Sequence, residues 1–277
     1  MPKSLASLKL NYSFEEGSTV LRHEHSGPLR VLKSLYPEGK HICHNILIHP
    51  PSGLVGGDLL DIQIQLRAGA HALITTPGAA RFFASQTLPA KQQTFAQLGS
   101  QSRLEWLPME SLAYDACLGL NETIFELAPE SLLMAWDLVS LGLPHANLPF
   151  RQGRFFQHLE IKGLWLDKGV MDASDQRLLT SPLGLQGKTC LASMVLASGS
   201  KFERPQKDQA VELARQACEE APPSLKIGVS SPHERLVVVR ALSDQVEPCM
   251  RVFQKIRAAW RQELWGQQSS APRIWNT

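Results

Sequence analysis

The sequence predicts a mainly β protein with a stacked, strand-rich body and two α-helices near the C-terminus. Apolar and polar residues alternate along many short segments, which is typical of half-buried strands. Turn signals between these segments recur roughly every 8–12 residues, which favours an all-β body. Two later segments instead repeat their apolar residues at three- and four-residue spacing, and this spacing predicts the helices.

The clearest strands lie in residues 8–14 and 60–66, where apolar and polar side chains strictly alternate. The turn at Gly69-Ala70 then predicts a hairpin-like return through residues 72–76. The same pattern predicts two later strand pairs, which are 93–98 with 103–107 and 123–127 with 132–139. The spacing is not constant, so it does not by itself predict a regular solenoid.

The first predicted helix covers about residues 206–220 and begins after Pro205. The second covers about residues 243–265, with Ser243 as its N-cap and Gly266 as its stop.

The second helix also carries four cations opposite its apolar seam. A solvent-facing charged surface is the predicted role of these cations, and docking to an acidic partner is the alternative. They are Arg251, Lys255, Arg257 and Arg261.

No shift in composition divides the chain, so we predict a single domain over residues 1–277. Its parts are a strand-rich region at 5–200, the two helices, two strands between them at 225–229 and 236–241 around a turn at 231–233, and a short tail at 267–277.

Composition and charge exclude several protein classes. A net charge of +2 gives no electrostatic case for binding nucleic acid. The longest apolar runs are far shorter than the ~20 residues that span a bilayer, and the N-terminus lacks the apolar core of a signal peptide. The five cysteines are scattered and odd in number, which argues against a disulfide framework. We therefore expect a reduced, cytoplasmic protein with no membrane contact.

Two loops stand out as motifs. The first contains two prolines and three glycines between two predicted strands, and its residues include His49, Pro50, Pro51, Gly53, Gly56, Gly57 and Asp58. A tight structural turn is the simplest interpretation, because the loop lacks the lysine and following helix of a phosphate-binding loop. The second motif is a turn at a strand end, formed by Thr75, Thr76, Pro77 and Gly78.

Gly187-Lys188-Thr189 resembles the end of a phosphate-binding loop, but Pro182 stands where that motif needs a glycine. The sequence therefore does not predict a nucleotide site.

Metal ligands and catalytic groups are sparse. On a predicted strand, His41 and Cys43 share one face and His44 points to the other. This strand therefore supplies at most two converging ligands, and a closed metal site would need others from elsewhere. Cys43 is equally well explained as a small buried side chain. No hydrolase or metalloprotease motif is present, and we predict no catalytic residue. A β-rich hydrolase or a ligand-binding module with a site assembled from separated loops remains the alternative.

The polar C-terminal tail ends in Arg273, Ile274 and Trp275. An apolar end on a polar tail indicates docking, either onto this chain or onto a partner, since Trp and Arg are favoured interface anchors.

In order and spacing, these motifs resemble the UreD (UreH) family of urease accessory proteins. The resemblance depends most on the block from His49 to Asp58 followed by Thr75 to Ala79. Residues 27–31, 36–39 and 106–110 and the closing Pro272-Arg273-Ile274-Trp275 extend it over nearly the whole chain.

The resemblance implies an elongated, stacked β-sheet (β-helix-like) body with appended helices. It also implies a scaffold that binds apo-urease, a UreF-type accessory protein and a UreG-type GTPase, and that supports GTP-dependent nickel insertion without catalysing a reaction. No tightly bound cofactor is expected. By residue type, Cys43, His44, Asp58 and Glu160 are candidates for weak or transient nickel contact.

Overall fold

The computed structural model describes residues 5–268 and 270–276 and is built mainly of β-strands. The strands are β1 (Leu5–Glu15), β2 (Ser18–Ser26), β3 (Arg30–Val31), β4 (Ile42–Ile48), β5 (Leu59–Leu66), β6 (His71–Thr75), β7 (Ala80–Phe82), β8 (Ala90–Leu98), β9 (Arg103–Leu107), β10 (Ser111–Ala113), β11 (Cys117–Leu127), β12 (Leu132–Leu143), β13 (Leu148–Pro149), β14 (Gly153–Ile161), β15 (Trp165–Asp172), β16 (Cys190–Ser198), β17 (Lys226–His233) and β18 (Leu236–Ser243). The α-helices are α1 (Gln176–Thr180), α2 (Arg204–Glu219) and α3 (Val246–Trp265), and short 3-10 segments form at Pro144–Ala146 and Arg273–Asn276.

The strands form two sheets. One is a seven-stranded sheet in the order β15-β14-β11-β8-β5-β1-β2. The other is an eleven-stranded sheet whose main path is β17-β18-β16-β12-β9-β6-β4-β3. Off this path, β10 and β13 pair with β12, and β7 pairs with β10. Within each sheet, successive parallel strands are stacked to form a solenoid-like body, which confirms the predicted fold class.

The predicted hairpins are wrong. β5 belongs to the seven-stranded sheet and β6 to the eleven-stranded sheet, and the same division separates β8 from β9 and β11 from β12. Each short turn therefore carries the chain from one sheet to the other. Within the eleven-stranded sheet, Ile42 pairs with His71, His71 with Arg103 and Arg103 with Leu132, at steps of 29, 32 and 29 residues. Unequal steps explain why no fixed repeat is visible in the sequence.

Two apolar layers result from this stacking. The first lies between the sheets and includes Leu8, Leu10 and Ile62. The second lies between the eleven-stranded sheet and the helices α2 and α3, where Trp136 and Phe253 are fully buried. Alternating residues of a central strand such as β12 consequently face two different interiors.

Both long helices were predicted, with shifted boundaries. Helix α2 begins at Arg204, so Pro205 lies in its first turn, where proline is tolerated. Helix α3 begins at Val246 and not at Ser243, because Ser243 still belongs to β18. Gly266 ends α3 in the left-handed conformation, with φ 62°, as predicted.

Two smaller features differ from the prediction. The short helix α1 was not predicted; Asp175 caps it by accepting a hydrogen bond from the Leu178 amide. The segment Ser231-Pro232-His233, predicted as a turn, is part of β17, whose pairing with β18 is irregular there. Within the described residues, none of the helices has the length and apolar character needed to cross a membrane.

Buried ion pairs fix α3 to the eleven-stranded sheet. Glu105 of β9 is fully buried, and its Oε2 accepts a hydrogen bond from Arg257 Nε at 2.7 Å. Arg261 pairs with Glu105 and with Glu38. The predicted solvent-facing position is therefore wrong for Arg257 and Arg261, which are 1% and 0% exposed, and holds for Arg251 and Lys255.

The electrostatic environment of Glu105 explains why a carboxylate is tolerated at this depth. Burial alone raises the pKa of Glu105, but Arg257, His71 and Arg261 outweigh it and hold the pKa well below its usual range. The pKa of His71 is lowered by burial, an effect that Glu105 partly opposes. Glu105 is therefore a paired, ionised group inside the helix layer.

Candidate functional site

The two motif loops pack against neighbouring backbone segments at one end of the sheet sandwich. The first loop joins β4 to β5, and the Asp58 carboxylate accepts a hydrogen bond from the Val55 amide at 2.9 Å. A methyl group at Gly53 would collide with the Phe83 ring, and one at Gly56 with the Ser85 side chain. The glycines are therefore required for close contact with residues 81–88, as the structural interpretation of this loop predicted.

The second motif closes the end of β6 through its two threonine hydroxyls. Thr75 donates to the Leu107 carbonyl oxygen at 2.6 Å. Thr76 donates to the Gly78 carbonyl at 3.0 Å and accepts from the Met109 amide at 2.9 Å. The turn at Pro77-Gly78 is thus tied to the segment that follows β9.

Both motifs line a first cavity of about 290 Å³. Its wall begins at exposed residues of the motifs, such as Pro77 and Gly78, and continues inward to buried Ile62 and Thr123. Asp137 of β12 also lines it. The cavity therefore leads from the motif loops into the space between the two sheets.

Asp137 is the most unusual side chain in this space. Its Oδ2 atom has no hydrogen-bond partner among the described residues. Asp137 lies inside the protein, but its surface is only half-buried, because part of it faces the cavities. Burial, and secondarily the nearby Asp167, raise the pKa of Asp137 to about 7. This carboxyl group therefore exchanges its proton near neutral pH.

A second cavity of about 220 Å³ shares Asp137 with the first. Its wall continues outward to Lys168 and Arg240, which are exposed. Asp167 lies on this side, where it accepts hydrogen bonds from Ser193 at 2.9 Å and from Arg240 at 3.1 Å. Asp137 consequently stands between two cavities that reach different parts of the surface.

The second cavity contains another unsatisfied polar group. Gln157 Nε2 is buried and lacks a hydrogen-bond partner among the described residues. Gln157 lines the second cavity. Gln92 and Asn121 line the first, and Gln92 donates to Asn121 Oδ1 at 3.2 Å. Buried polar atoms are normally hydrogen-bonded, so this interior is suited to a polar occupant such as water or a hydrated ion.

The four predicted nickel contacts lie in four separate places. Cys43 faces the layer between the sheets, where burial raises the pKa of its thiol. His44 faces away from Cys43, and its Nε2 lies 2.7 Å from Glu38 Oε1. Asp58 is in the first motif loop, and Glu160 binds His158 at 2.9 Å on the seven-stranded sheet.

These positions bring no two of the four together. Within residues 5–268 and 270–276, no group of three or more His, Cys, Asp or Glu side chains could hold a metal ion. Transient contact at single residues stays a prediction.

Asp137 was missed at the sequence level, although the chain contains a usable signal. It is the one charged residue of a mostly apolar strand, Leu132–Leu143, at a position facing the space between the sheets. A lone acidic residue within an apolar strand indicates either a buried ion pair or a polar cavity.

The C-terminal tail docks onto its own chain. Trp275 Nε1 donates to Thr75 Oγ1 at 2.9 Å, and the Trp275 and Trp136 rings lie 5.2 Å apart. Arg273 is exposed and Ile274 half-buried. Docking within the chain, one of the two predicted alternatives, accounts for Trp275. Partner binding by Arg273, Ile274 and Trp275 stays a prediction.

Comparison with known proteins gives a consistent result. The family model described as "UreD urease accessory protein" matches residues 4–276. A protein of Albidiferax ferrireducens described as urease accessory protein UreD is 54% identical over 270 residues, which cover 98% of both chains. Proteins with the same description from Polaromonas sp. and Verminephrobacter eiseniae are 49% and 51% identical, again over 98% of both chains.

Proposed function

The chain belongs to the UreD family of urease accessory proteins, and from this premise we propose that it is a scaffold and metallochaperone for GTP-dependent nickel insertion into apo-urease. It acts in the cytoplasm, in a complex with a UreF-type accessory protein and a UreG-type GTPase. The chain itself catalyses no reaction. It provides a surface for assembly and an interior path for the ion.

The observation that carries the interior path is Asp137, the carboxylate shared by two cavities. A water needs only about 10–15 Å³ of such cavity volume, so 290 Å³ leaves room for an ion with bound waters. Carboxylate, amide and hydroxyl oxygens bind divalent cations through exchangeable contacts. A path lined by Asp137, Asn121 and Thr123 therefore favours passage of Ni²⁺ over permanent binding.

A closed path also answers a selectivity problem. At sites of nitrogen, oxygen and sulfur donors, affinity alone favours Cu²⁺ over Ni²⁺. Delivery between docked proteins replaces selection by affinity with selection by partner contact. The transient contacts predicted for Cys43, His44, Asp58 and Glu160 would supplement this path, whereas Asp137 is the residue on which it depends.

Urease reconstitution tests the proposal. Apo-urease, the UreF-type and UreG-type proteins, GTP, Ni²⁺ and bicarbonate are combined with and without this chain, and ammonia release is followed. We expect activation only when the chain is present. No dependence on the folded chain would contradict the accessory role and favour a hydrolase or ligand-binding module.

The variant D137N tests the path separately. Asparagine preserves shape but removes the charge that attracts a cation, so we expect activation to slow severalfold while capture of the UreF-type partner is retained. D208N, at an exposed aspartate of α2, is the matched control and should activate normally. Wild-type activation by D137N would exclude a path that depends on this carboxylate.

A further inference from the structure

The C-terminal tail contacts the eleven-stranded sheet through one side chain, Trp275. Trp275 donates its indole N–H to Thr75 Oγ1, at a sequence separation of 200 residues. The Arg257 guanidinium lies 5.4 Å from the centre of the Trp275 ring, and the Trp136 ring lies 5.2 Å from it. Trp275 is thereby held by a hydrogen bond, a cation–π contact and an aromatic contact.

Two side chains of the eleven-stranded sheet contact Trp275, and each of them immediately precedes a residue of the first cavity. Thr75 precedes Thr76, which lines the cavity mouth beside Pro77. Trp136 precedes Asp137, which lines the inner end. Successive strand residues point to opposite faces, so Trp275 lies on the helix side of the sheet and the cavity on the other.

The hydrogen bonds around these residues link them further. Thr75 donates to the Leu107 carbonyl, and Trp136 Nε1 donates to the Pro108 carbonyl at 2.7 Å. Pro108 also lines the first cavity. The Trp275 indole is therefore bonded to a side chain that helps to hold the end of β9 in place.

We infer that Trp275 is a positioning residue for the first cavity. Its indole N–H fixes the Thr75 hydroxyl, and its ring supports Trp136, so that the mouth and the inner carboxylate keep their separation. This inference rests on the proposed function, in which the cavity conducts nickel. It assigns the docked tail a role in ion passage rather than in partner capture.

Hydrogen exchange on the full-length chain tests the positioning directly. W275F keeps an aromatic ring but removes the donor. T75V removes the acceptor and also the hydrogen bond that Thr75 donates to Leu107. We expect W275F to speed exchange of the backbone N–H groups within residues 76–79 and at Met109 about fivefold, the scale of one lost hydrogen bond, and T75V to speed it at least as much. T75S keeps the hydroxyl and should match the wild type, and the W275F/T75V double variant should not exceed T75V.

W260F is the matched control, because Trp260 makes an equivalent indole hydrogen bond, 2.8 Å long, to the Ala210 carbonyl between α3 and α2. It should destabilise the helix layer without selectively speeding exchange at 76–79. Unchanged exchange at 76–79 in W275F, or an equal increase there in W260F, would overturn the inference and leave Trp275 as an ordinary anchor.

Reconstitution with the same variants separates this inference from the proposed function. We expect W275F to activate urease more slowly while capturing the UreF-type partner normally, and T75S to activate like the wild type. Faster local exchange with unchanged activation would overturn the inference alone. If the wild-type chain itself has no effect on activation, the proposed function fails, whatever the exchange data show.

Discussion

Two carboxylates on the same sheet have opposite environments. Glu105 of β9 faces the helix layer, and Asp137 of β12 faces the space between the sheets. Glu105 is bonded by Arg257 and Arg261. Asp137 has one oxygen with no partner among the described residues.

The difference separates a carboxylate that is paired with arginines from one that faces a cavity. Arginine partners lower the pKa of Glu105, whereas burial beside Asp167 raises that of Asp137. A buried ion is tolerated when it is paired, and a buried acid left unpaired destabilises its charged form. Glu105 is already paired with arginines, whereas Asp137 faces a cavity and has an oxygen that a cation could bind.

The largest effect is expected from removing the paired charge. E105Q leaves the guanidinium groups of Arg257 and Arg261 without their buried carboxylate, so unfolding free energy should fall by about 3–5 kcal/mol. Urea denaturation at pH 7 measures this. Because the folded-state pKa of Glu105 is lowered, its stabilisation is present above the ordinary Glu pKa of about 4.3 and is lost as pH falls below it. The difference between wild type and E105Q should therefore shrink in acid.

A loss below about 1 kcal/mol at pH 7 would mean that the two arginines find other partners. It would also remove the contrast with Asp137.

D137N is expected to raise the free energy of unfolding, whereas E105Q lowers it. The pKa of Asp137 is about 7 in the folded chain and about 3.9 when unfolded. Between these values the folded state holds a proton that the unfolded state has released, so wild-type stability falls as pH rises. The asparagine side chain of the variant cannot ionise, so D137N should gain up to about 4 kcal/mol over the wild type at pH 8 and almost nothing near pH 4.

Urea denaturation of both proteins at several pH values checks this, with D208N following the wild type throughout. A D137N variant that is less stable at pH 8 would show that the ionised carboxylate has partners in solution, and the cavity would then be a structural pocket.

The smallest effect is expected at an exposed acid of α3. Glu247 pairs with Arg251 at 2.6 Å, and its side chain is 61% exposed. E247Q should lower stability by about 0.3–0.5 kcal/mol, since solvent screens such pairs. Thermal unfolding of E247Q and E105Q, measured in parallel, compares an exposed and a buried ion pair made by arginines of the same helix. A large loss of stability in E247Q would show that exposure does not determine how much an ion pair of this helix contributes.

The local sequence pattern predicted the positions of strands and helices better than it predicted which strands pair with each other. Alternation identified β1 and β5, and the left-handed Gly266 was predicted as the end of α3. The turn at Gly69 was misread because a short turn looks the same whether the next strand pairs with the last or joins a second sheet. Only contacts distant in sequence decide between these outcomes.

The buried charges were missed for a similar reason. Arg257 follows Met250 by seven residues and Phe253 by four, a spacing that places it on the apolar seam of α3. Its charge argued for solvent, and its partner Glu105 lies 152 residues earlier. The motif loops were found because their glycines signal close packing locally. The cavity behind them needs both sheets and could not be predicted from one segment.

The tail contact also has a consequence for synthesis. Translation proceeds from the N-terminus, and domains begin to fold as the chain emerges. Thr75 is made early, whereas Trp275 follows it by 200 residues. The hydrogen bond between them therefore forms only after every strand of both sheets has been translated. A product that terminates before Trp275 contains the strands of both sheets and still lacks this contact, so the docked indole distinguishes such truncated chains from longer ones.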